Sequence, residues 1–270
     1  MYFSAANARL AGLTTRAPRL HFTHEDTTVT VNCDYVAGCD GFYGMCRGAI
    51  PRDAIETYQK TYPFAWLGVL VEAPPAQSEL IYAQNTRGFA LFSMRSPQLT
   101  RLYLQCSPDD ELSQWPDERI WTELLVRLDT RDGWRPNRGP ILQKSITPMR
   151  SFVAEPMRYH TLFLAGDAAH IVPPTGAKGM NLAVADVRLL ARAFTAFYAQ
   201  GNIDLLTRYS DACLRRVWRA ERFSWQMTAM LHEFPEHDPF QPYIIGGAIF
   251  LMLMIGLRVV WGVGKSRPHS

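Results

Sequence analysis

The residues from Thr161 to Phe197 constrain this chain more than any other stretch. They open with a short apolar run, Leu162-Phe163-Leu164-Ala165, which has the pattern of a buried strand. Gly166-Asp167 ends that run, and a loop carrying Pro173, Pro174 and Gly176 follows. From Gly179 onward the apolar positions Leu182, Ala185, Leu189, Leu190, Ala193 and Phe197 recur at helical spacing. The order is strand, carboxylate, glycine-bearing loop, helix N-terminus. Such a helix end offers unpaired N–H groups and a partial positive charge, so it suits an anion. Gly176 and Gly179 let a flat ligand approach the backbone. Asp167, at the end of a strand, can accept hydrogen bonds from sugar-like hydroxyls. The same order also describes an ordinary joint of an α/β protein, and the pattern alone leaves both readings open.

Composition narrows the class. The chain has 270 residues, 47% of them hydrophobic and 20% charged, enough for one large or two modest domains with a real core. Net charge is +3 and the basic residues are scattered, which excludes a nucleic-acid binder. Cys33, Cys39, Cys46, Cys106 and Cys213 are odd in number and form no CxxC pair, so they read as buried reduced thiols of a cytosolic protein. The start, MYFSAANARLAG, has no basic region followed by an apolar one and is not a signal peptide. His232 and His237 lack ligand spacing with each other or with a cysteine, so no metal site is expected.

Along the chain, Thr27–Val31 and Tyr35–Gly38 read as strands, the second ending at Cys39-Asp40-Gly41. Residues Ile50 to Tyr62, after Pro51, read as a short helix. The runs FAWLGVLV, ELIYAQ, FALFSMR and TRLYLQC, separated by turn residues, predict an antiparallel sheet. Trp121–Leu128 reads as an amphipathic helix, residues 130–139 as a loop and Lys144–Phe152 as a strand. Asp204 to Leu231 reads as helical, for core or oligomer contact. The fold class is α/β (α+β). Within the sheet, alternation places Ser93 with Arg95 on one face, and Arg101 with Tyr103 likewise. A tight turn between the two strands would bring a hydroxyl, a guanidinium and a phenol together as a cradle for a carboxylate. The solvated face of an ordinary sheet is the other reading.

The residues themselves add a resemblance. GDAAH followed by PPTGAKGMNLAVADV resembles the second flavin motif of the FAD-dependent aromatic hydroxylases, and the likeness runs from about Asn32 to Phe240. The stretch from Cys33 to Gly44 resembles that family's Asp-Gly motif, with Tyr43 where relatives tend to carry a histidine. The resemblance implies a partial FAD-binding, Rossmann-like domain with an inserted antiparallel substrate domain and C-terminal helices. Its divisions are 1–50, with the Asp-Gly motif; 51–150, the substrate sheet; 151–200, the Gly-Asp motif and its helix; 201–240, helical; and 241–270, an apolar tail. It implies FAD as cofactor and NADPH or NADH as co-substrate. The FAD contacts would be Asp40, Gly41, Arg101, Gly166, Asp167, Gly176, Lys178, Gly179, Met180 and Asn181, and Arg150 would serve the nicotinamide nucleotide. The substrate would be a phenolic acid, 4-hydroxybenzoate hydroxylated to 3,4-dihydroxybenzoate. Ser93, Met94, Arg95 and Tyr103 would hold it, and Tyr82 and the Pro174 carbonyl would handle the phenol proton. A free phenol has a pKa of ~10, so such a site must favour the phenolate.

Two features depart from that pattern. No G-x-G-x-x-G occurs anywhere in the chain, so half of the expected FAD site has no counterpart. Residues 243–263 read YIIGGAIFLMLMIGLRVVWGV with Arg258 as the one charge, the length of a membrane span. Tyr243 and Trp261 stand where interfacial aromatics would, and Lys265 and Arg267 would favour a cytoplasmic C-terminus. The expectations are therefore a cytoplasmic enzyme, compatible with a homodimer; alternatively a truncated, non-catalytic remnant; or, third, such a remnant anchored in a membrane by this tail. A buried apolar helix or a disrupted reading frame would also account for the tail.

Overall fold

A computed structural model describes residues 1–130, 133–235 and, as backbone, 259–261. The chain divides into two compact units, one of Met1–Lys60 with Arg150–Trp225 and one of Thr61–Met149 with the stretch from Gln226 onward.

The first unit opens with a meander of β1 (Ala6–Ala11), β2 (Arg19–His24) and β3 (Thr27–Asn32). Only β3 is legible in the sequence, because β1 and β2 lack a clean alternation. The β2–β3 hairpin turns through Glu25 and Asp26, both with positive φ, 48° and 59°, as a two-residue turn with matching twist requires. Next come β4 (Val36–Gly38) and a single turn of helix, α1 (Met45–Gly48). After the second unit the chain returns through β10 (Arg158–Tyr159), β11 (Leu162–Leu164) and β12 (His170–Ile171), then α3 (Gly179–Gln200), α4 (Asp204–Thr207) and α5 (Tyr209–Leu231). β11 lies between β10 and β4 and runs parallel to β4, with Leu162 opposite Val36 and Leu164 opposite Gly38. The core beneath them joins Leu162, Phe163 and Leu164 to Leu190, Ala193, Tyr209, Cys213 and Val217.

The second unit is an antiparallel sheet. Its strands are β5 (Glu56–Glu72), β6 (Ile81–Gln84), β7 (Ala90–Ser96), β8 (Leu99–Cys106) and β9 (Ile141–Glu155). They lie in the order β9-β5-β8-β7-β6, and β13 (Val259–Trp261) adds in parallel at β6. The two long strands β5 and β9 extend into the first unit, where β12 pairs with β9. α2 (Asp117–Arg127) places Ile120, Trp121 and Leu124 against Leu67, Val69, Phe92, Leu102 and Leu104 of one sheet face. Buried Arg127 donates to Gln105 O at 2.7 Å and pairs with Glu123, which Arg87 also binds.

Three expectations need correction. Residues 50–62 are not a helix: Pro51 starts only a 3₁₀ turn, Arg52–Ala54, and β5 begins at Glu56. Thr57, Tyr58, Thr61 and Tyr62 favour the extended chain, and the pairing partners of a long strand outweigh one helix-starting proline. All five cysteines are free, but only Cys46, Cys106 and Cys213 are buried, while Cys33 is half-buried and Cys39 exposed. Residues 243–258 and 262–263 of the apolar tail lie outside the described residues. Val259–Trp261 is a strand, and among the described residues no helix is long and apolar enough to cross a membrane.

His232 sits in the interior of the second unit. Its Nε2 accepts from Trp66 Nε1 at 2.7 Å, its Nδ1–H donates to Thr228 O at 3.0 Å, and its ring stacks on Phe64 at 4.5 Å. Complete burial pushes the imidazole from 6.5 down to about 3. The fold holds the neutral ring, whereas the unfolded chain takes up a proton below about 6.5. This contribution to stability is therefore intact above pH ~6.5 and lost as pH falls toward 3, with a slope of up to ~1.4 kcal/mol per pH unit. Urea midpoints measured between pH 7 and pH 4 should fall accordingly, and His232→Gln should flatten that dependence.

Candidate functional site

In the first unit the parallel pairing of β4 and β11 puts the turns that follow them side by side, with Ala165 N donating to Gly38 O at 3.0 Å. After β4 comes Asp40-Gly41. The Asp40 carboxylate turns back into its own loop, where Oδ2 accepts the Cys46 N–H at 2.8 Å. A Cβ at Gly44 would lie 2.1 Å from the Asp40 carboxyl carbon, so this turn requires glycine there. Gly41 adopts φ +75° with open space beside it.

After β11 comes Gly166-Asp167. Gly166 adopts φ +61°, and a Cβ there would meet Ala183 at 3.2 Å. Its N–H donates to Asp186 Oδ2 at 3.2 Å, and His170 Nε2 lies 2.6 Å from the same oxygen. Asp186 and His170 are both buried. Asp186 Oδ1 has no hydrogen-bond partner, and the nearby Cys213 thiol is pushed up to about 12 by burial and by Asp186. Asp167, by contrast, is exposed. The fold thus buries one carboxylate to hold the turn and leaves the next one outward.

Arg47 joins the two turns. Its Nη1 donates to Ala168 O at 2.8 Å and its Nη2 to Phe42 O at 2.5 Å, and its guanidinium packs on the rings of Phe42 and Phe152 at 4.8 and 4.6 Å. Arg150 reaches the same place, 4.9 Å from the Phe42 ring centroid. Tyr43 is exposed beside them.

The loop before α3 makes a 3₁₀ turn, Pro174–Gly176, and Ala177 takes a left-handed conformation, φ 50°. Pro174 is exposed, while Gly176 is buried with Ser224 filling the space a Cβ would need, 2.3 Å away. At Gly179 a Cβ would only touch Val172, at 3.9 Å. The N-cap of α3, Lys178, provides no side-chain cap, and the first turn has no acidic residue. Lys178, Met180 and Asn181 around this end are exposed, with the Lys178 ammonium 5.4 Å from the Phe223 ring. An uncapped 22-residue helix with glycine at its start can hold an anion.

In the second unit, one sheet face gathers polar and aromatic groups. Ser93 lies opposite Arg101, and Leu91 lies opposite both Tyr103 and Tyr82. Arg101 Nη1 donates to Gln143 Oε1 at 3.4 Å, and its guanidinium lies 5.5 Å from the Tyr103 ring. Gly68 of β5 makes the room: a Cβ there would meet Tyr103 at 3.0 Å and Arg101 at 3.4 Å. Trp66 supports Tyr103 at 5.0 Å, and Phe89 flanks Tyr82 at 5.9 Å. Burial raises the Tyr82 phenol, which therefore stays protonated near neutrality and can donate. The β7–β8 register shifts between Met94 and Ser96, so Arg95 sits at a bulge. Met94 and Arg95 are both exposed.

Sequence reasoning missed Arg47, Asp186 with His170, Gly68 and Gln143. Asp186 carried a signal: it lies four residues from both Leu182 and Leu190, a carboxylate on the buried stripe of the helix. Gly68 did too, as a lone glycine inside a strand. Arg47 carried none.

The chain is similar to several known proteins. The family model described as FAD binding domain matches residues 6–224. The chain is 52% identical over 224 residues to p-hydroxybenzoate hydroxylase of Acinetobacter baylyi, covering 83% of this chain and 55% of that one. It is 27% identical over 188 residues to 3-(3-hydroxy-phenyl)propionate/3-hydroxycinnamic acid hydroxylase of Mycobacterium avium, covering 69% and 31%. The chain thus spans about half or less of the length of these curated relatives. The fold resembles that of p-nitrophenol 4-monooxygenase from Pseudomonas putida DLL-E4, with TM-score 0.70, 18% identity and coverage of 92% and 63%.

Removing the buried carboxylate should loosen the turn it holds. Asp186→Ala leaves the Gly166 N–H and His170 without their acceptor, at a cost of about 1–3 kcal/mol each. A matching drop in the urea midpoint checks this, and unchanged stability would show that the pair is not structural.

Proposed function

Because the chain belongs to the FAD binding domain family, we propose that it binds FAD and acts in the hydroxylation of a phenolic acid, 4-hydroxybenzoate, with NADPH or NADH and O₂. The observation that carries the reading is the outward Asp167 beside the uncapped, glycine-led N-terminus of α3. A carboxylate can accept sugar-chain hydroxyls, and a helix end that favours negative charge suits the reduced ring of a flavin. The cofactor supplies oxygen activation when bound, and the protein's residues supply binding, orientation and proton handling.

On the flavin side we assign Asp40, Gly41, Gly166, Asp167, Gly176, Lys178, Gly179, Met180 and Asn181. Gly166 and Gly176 act through the backbone shape they permit, and Asp40 acts by holding the Asp-Gly turn. Arg150, stacked at Phe42, is assigned to the nicotinamide nucleotide, and the exposed Pro174 offers its carbonyl to the phenol proton. In the segment 51–150, Ser93, Met94, Arg95 and Tyr103 are assigned to the substrate carboxylate, Tyr82 to its hydroxyl as donor, and Arg101 to the flavin's surroundings. Relatives named as hydroxylases of phenolic acids support the substrate class.

An FAD titration of the 270-residue chain tests the reading. Saturable quenching of flavin fluorescence in the micromolar range or tighter is expected, with at least about tenfold weaker binding for Asp167→Ala. No saturable binding would overturn it. For the substrate, Arg95→Ala should weaken 4-hydroxybenzoate binding about tenfold or more, since a charged hydrogen bond contributes ~1.5–3 kcal/mol. Unchanged affinity would remove Arg95 from the carboxylate site.

A further inference from the structure

α5 carries a stripe that neither the core nor the proposed flavin contacts use. Trp218, Glu221, Arg222 and Trp225 fall at i, i+3, i+4 and i+7, so they share one face. That face lines a cavity of about 370 Å³ within the first unit, together with Tyr58, Gln59 and Lys60 of β5 and Ser151, Phe152 and Val153 of β9. A volume of this size suits a small ligand.

The lining is unusual in what it buries and what it exposes. Trp218, Trp225 and Tyr58 are 39%, 45% and 41% exposed, although large aromatics normally bury more. Tyr58 packs edge-on against Trp218 at 5.2 Å. Glu221, on the same stripe, is only 6% exposed. It accepts from Ser151 and the Phe152 backbone, yet its Oε1 is buried without a hydrogen-bond partner. A buried acceptor left unmade is costly, and a donor brought by a ligand would recover that cost. Lys60, 5.5 Å from the Trp225 ring centroid, and Arg222 put positive charge among the lining residues. They disfavour a cationic ligand and suit an anionic one.

We propose that this cavity is a second ligand site, for a planar aromatic acid with a ring hydroxyl or N–H. The ring lies among Trp218, Trp225 and Tyr58, its donor bonds Glu221 Oε1, and its carboxylate faces Lys60 and Arg222. Burial holds the Glu221 carboxyl up at about 7, so near neutrality part of the chain carries a proton there. A donor ligand selects the ionised form, and that proton leaves to solvent. The site uses none of the residues assigned to FAD or to the phenolic substrate.

Calorimetric titration of the full chain with indole-3-acetate and with 1-naphthaleneacetate tests the assignment. The two acids share shape and charge, but only the indole has a ring N–H. Indole-3-acetate should bind about tenfold tighter. Glu221→Gln should abolish that preference, because its carbonyl must serve Ser151 and Phe152 and its NH₂ then replaces Oε1. Trp225→Leu, at an exposed position, should weaken both acids, and Arg101→Met should weaken neither. Equal affinity of the two acids for the unaltered chain, an indole preference that survives Glu221→Gln, or loss of binding in Arg101→Met would each overturn the proposal.

Discussion

The parallel pairing of β4 with β11 is the constraint on which the first unit depends. The two strands come from parts of the sequence more than a hundred residues apart, and three residue pairs set their register. Parallel direction brings both C-terminal ends to one edge, where the Asp40-Gly41 and Gly166-Asp167 turns lie together. In open α/β sheets this edge is where ligands bind. Leu162, Phe163 and Leu164 are all buried in one core, so the pairing that places the turns also builds the core.

Polar contacts then hold the turns. Arg47 donates to a carbonyl in each, Asp40 closes the first, and Asp186 with His170 closes the second. These groups are engaged within the turns, whereas Asp167 is exposed and the N-terminus of α3 carries no side-chain cap. Preorganised dipoles work best on a rigid support. The second unit solves a different problem by alternation. One sheet face meets α2 with aliphatic residues, and the other carries Tyr103, Arg101 and Ser93 above the gap left by Gly68.

Much of this was legible where periodicity is strong. The four strands of the sheet, the helix from Gly179 and the helical run from Asp204 stand where their spacing places them. The error at residues 50–62 came from giving weight to Pro51, a local signal, over pairing partners that lie far away in sequence. Asp186 falls on the buried stripe of the apolar helix pattern, where only its neighbours reveal that it is a structural carboxylate. The orphaned Glu221 carboxyl was hidden for the same reason: a helical pattern says which face a residue takes, not what it meets there.

By itself, the sequence determined most of the local elements and the motif that assigns the family. Those follow from short-range periodicity and from the chemistry of individual side chains. Only the tertiary structure decided which carboxylate is buried and which is outward, that Gly176 packs against Ser224 rather than standing clear, and that Arg47 joins two turns. Burial and hydrogen bonding of these groups depend on neighbours brought from distant positions, and no window along the chain contains them.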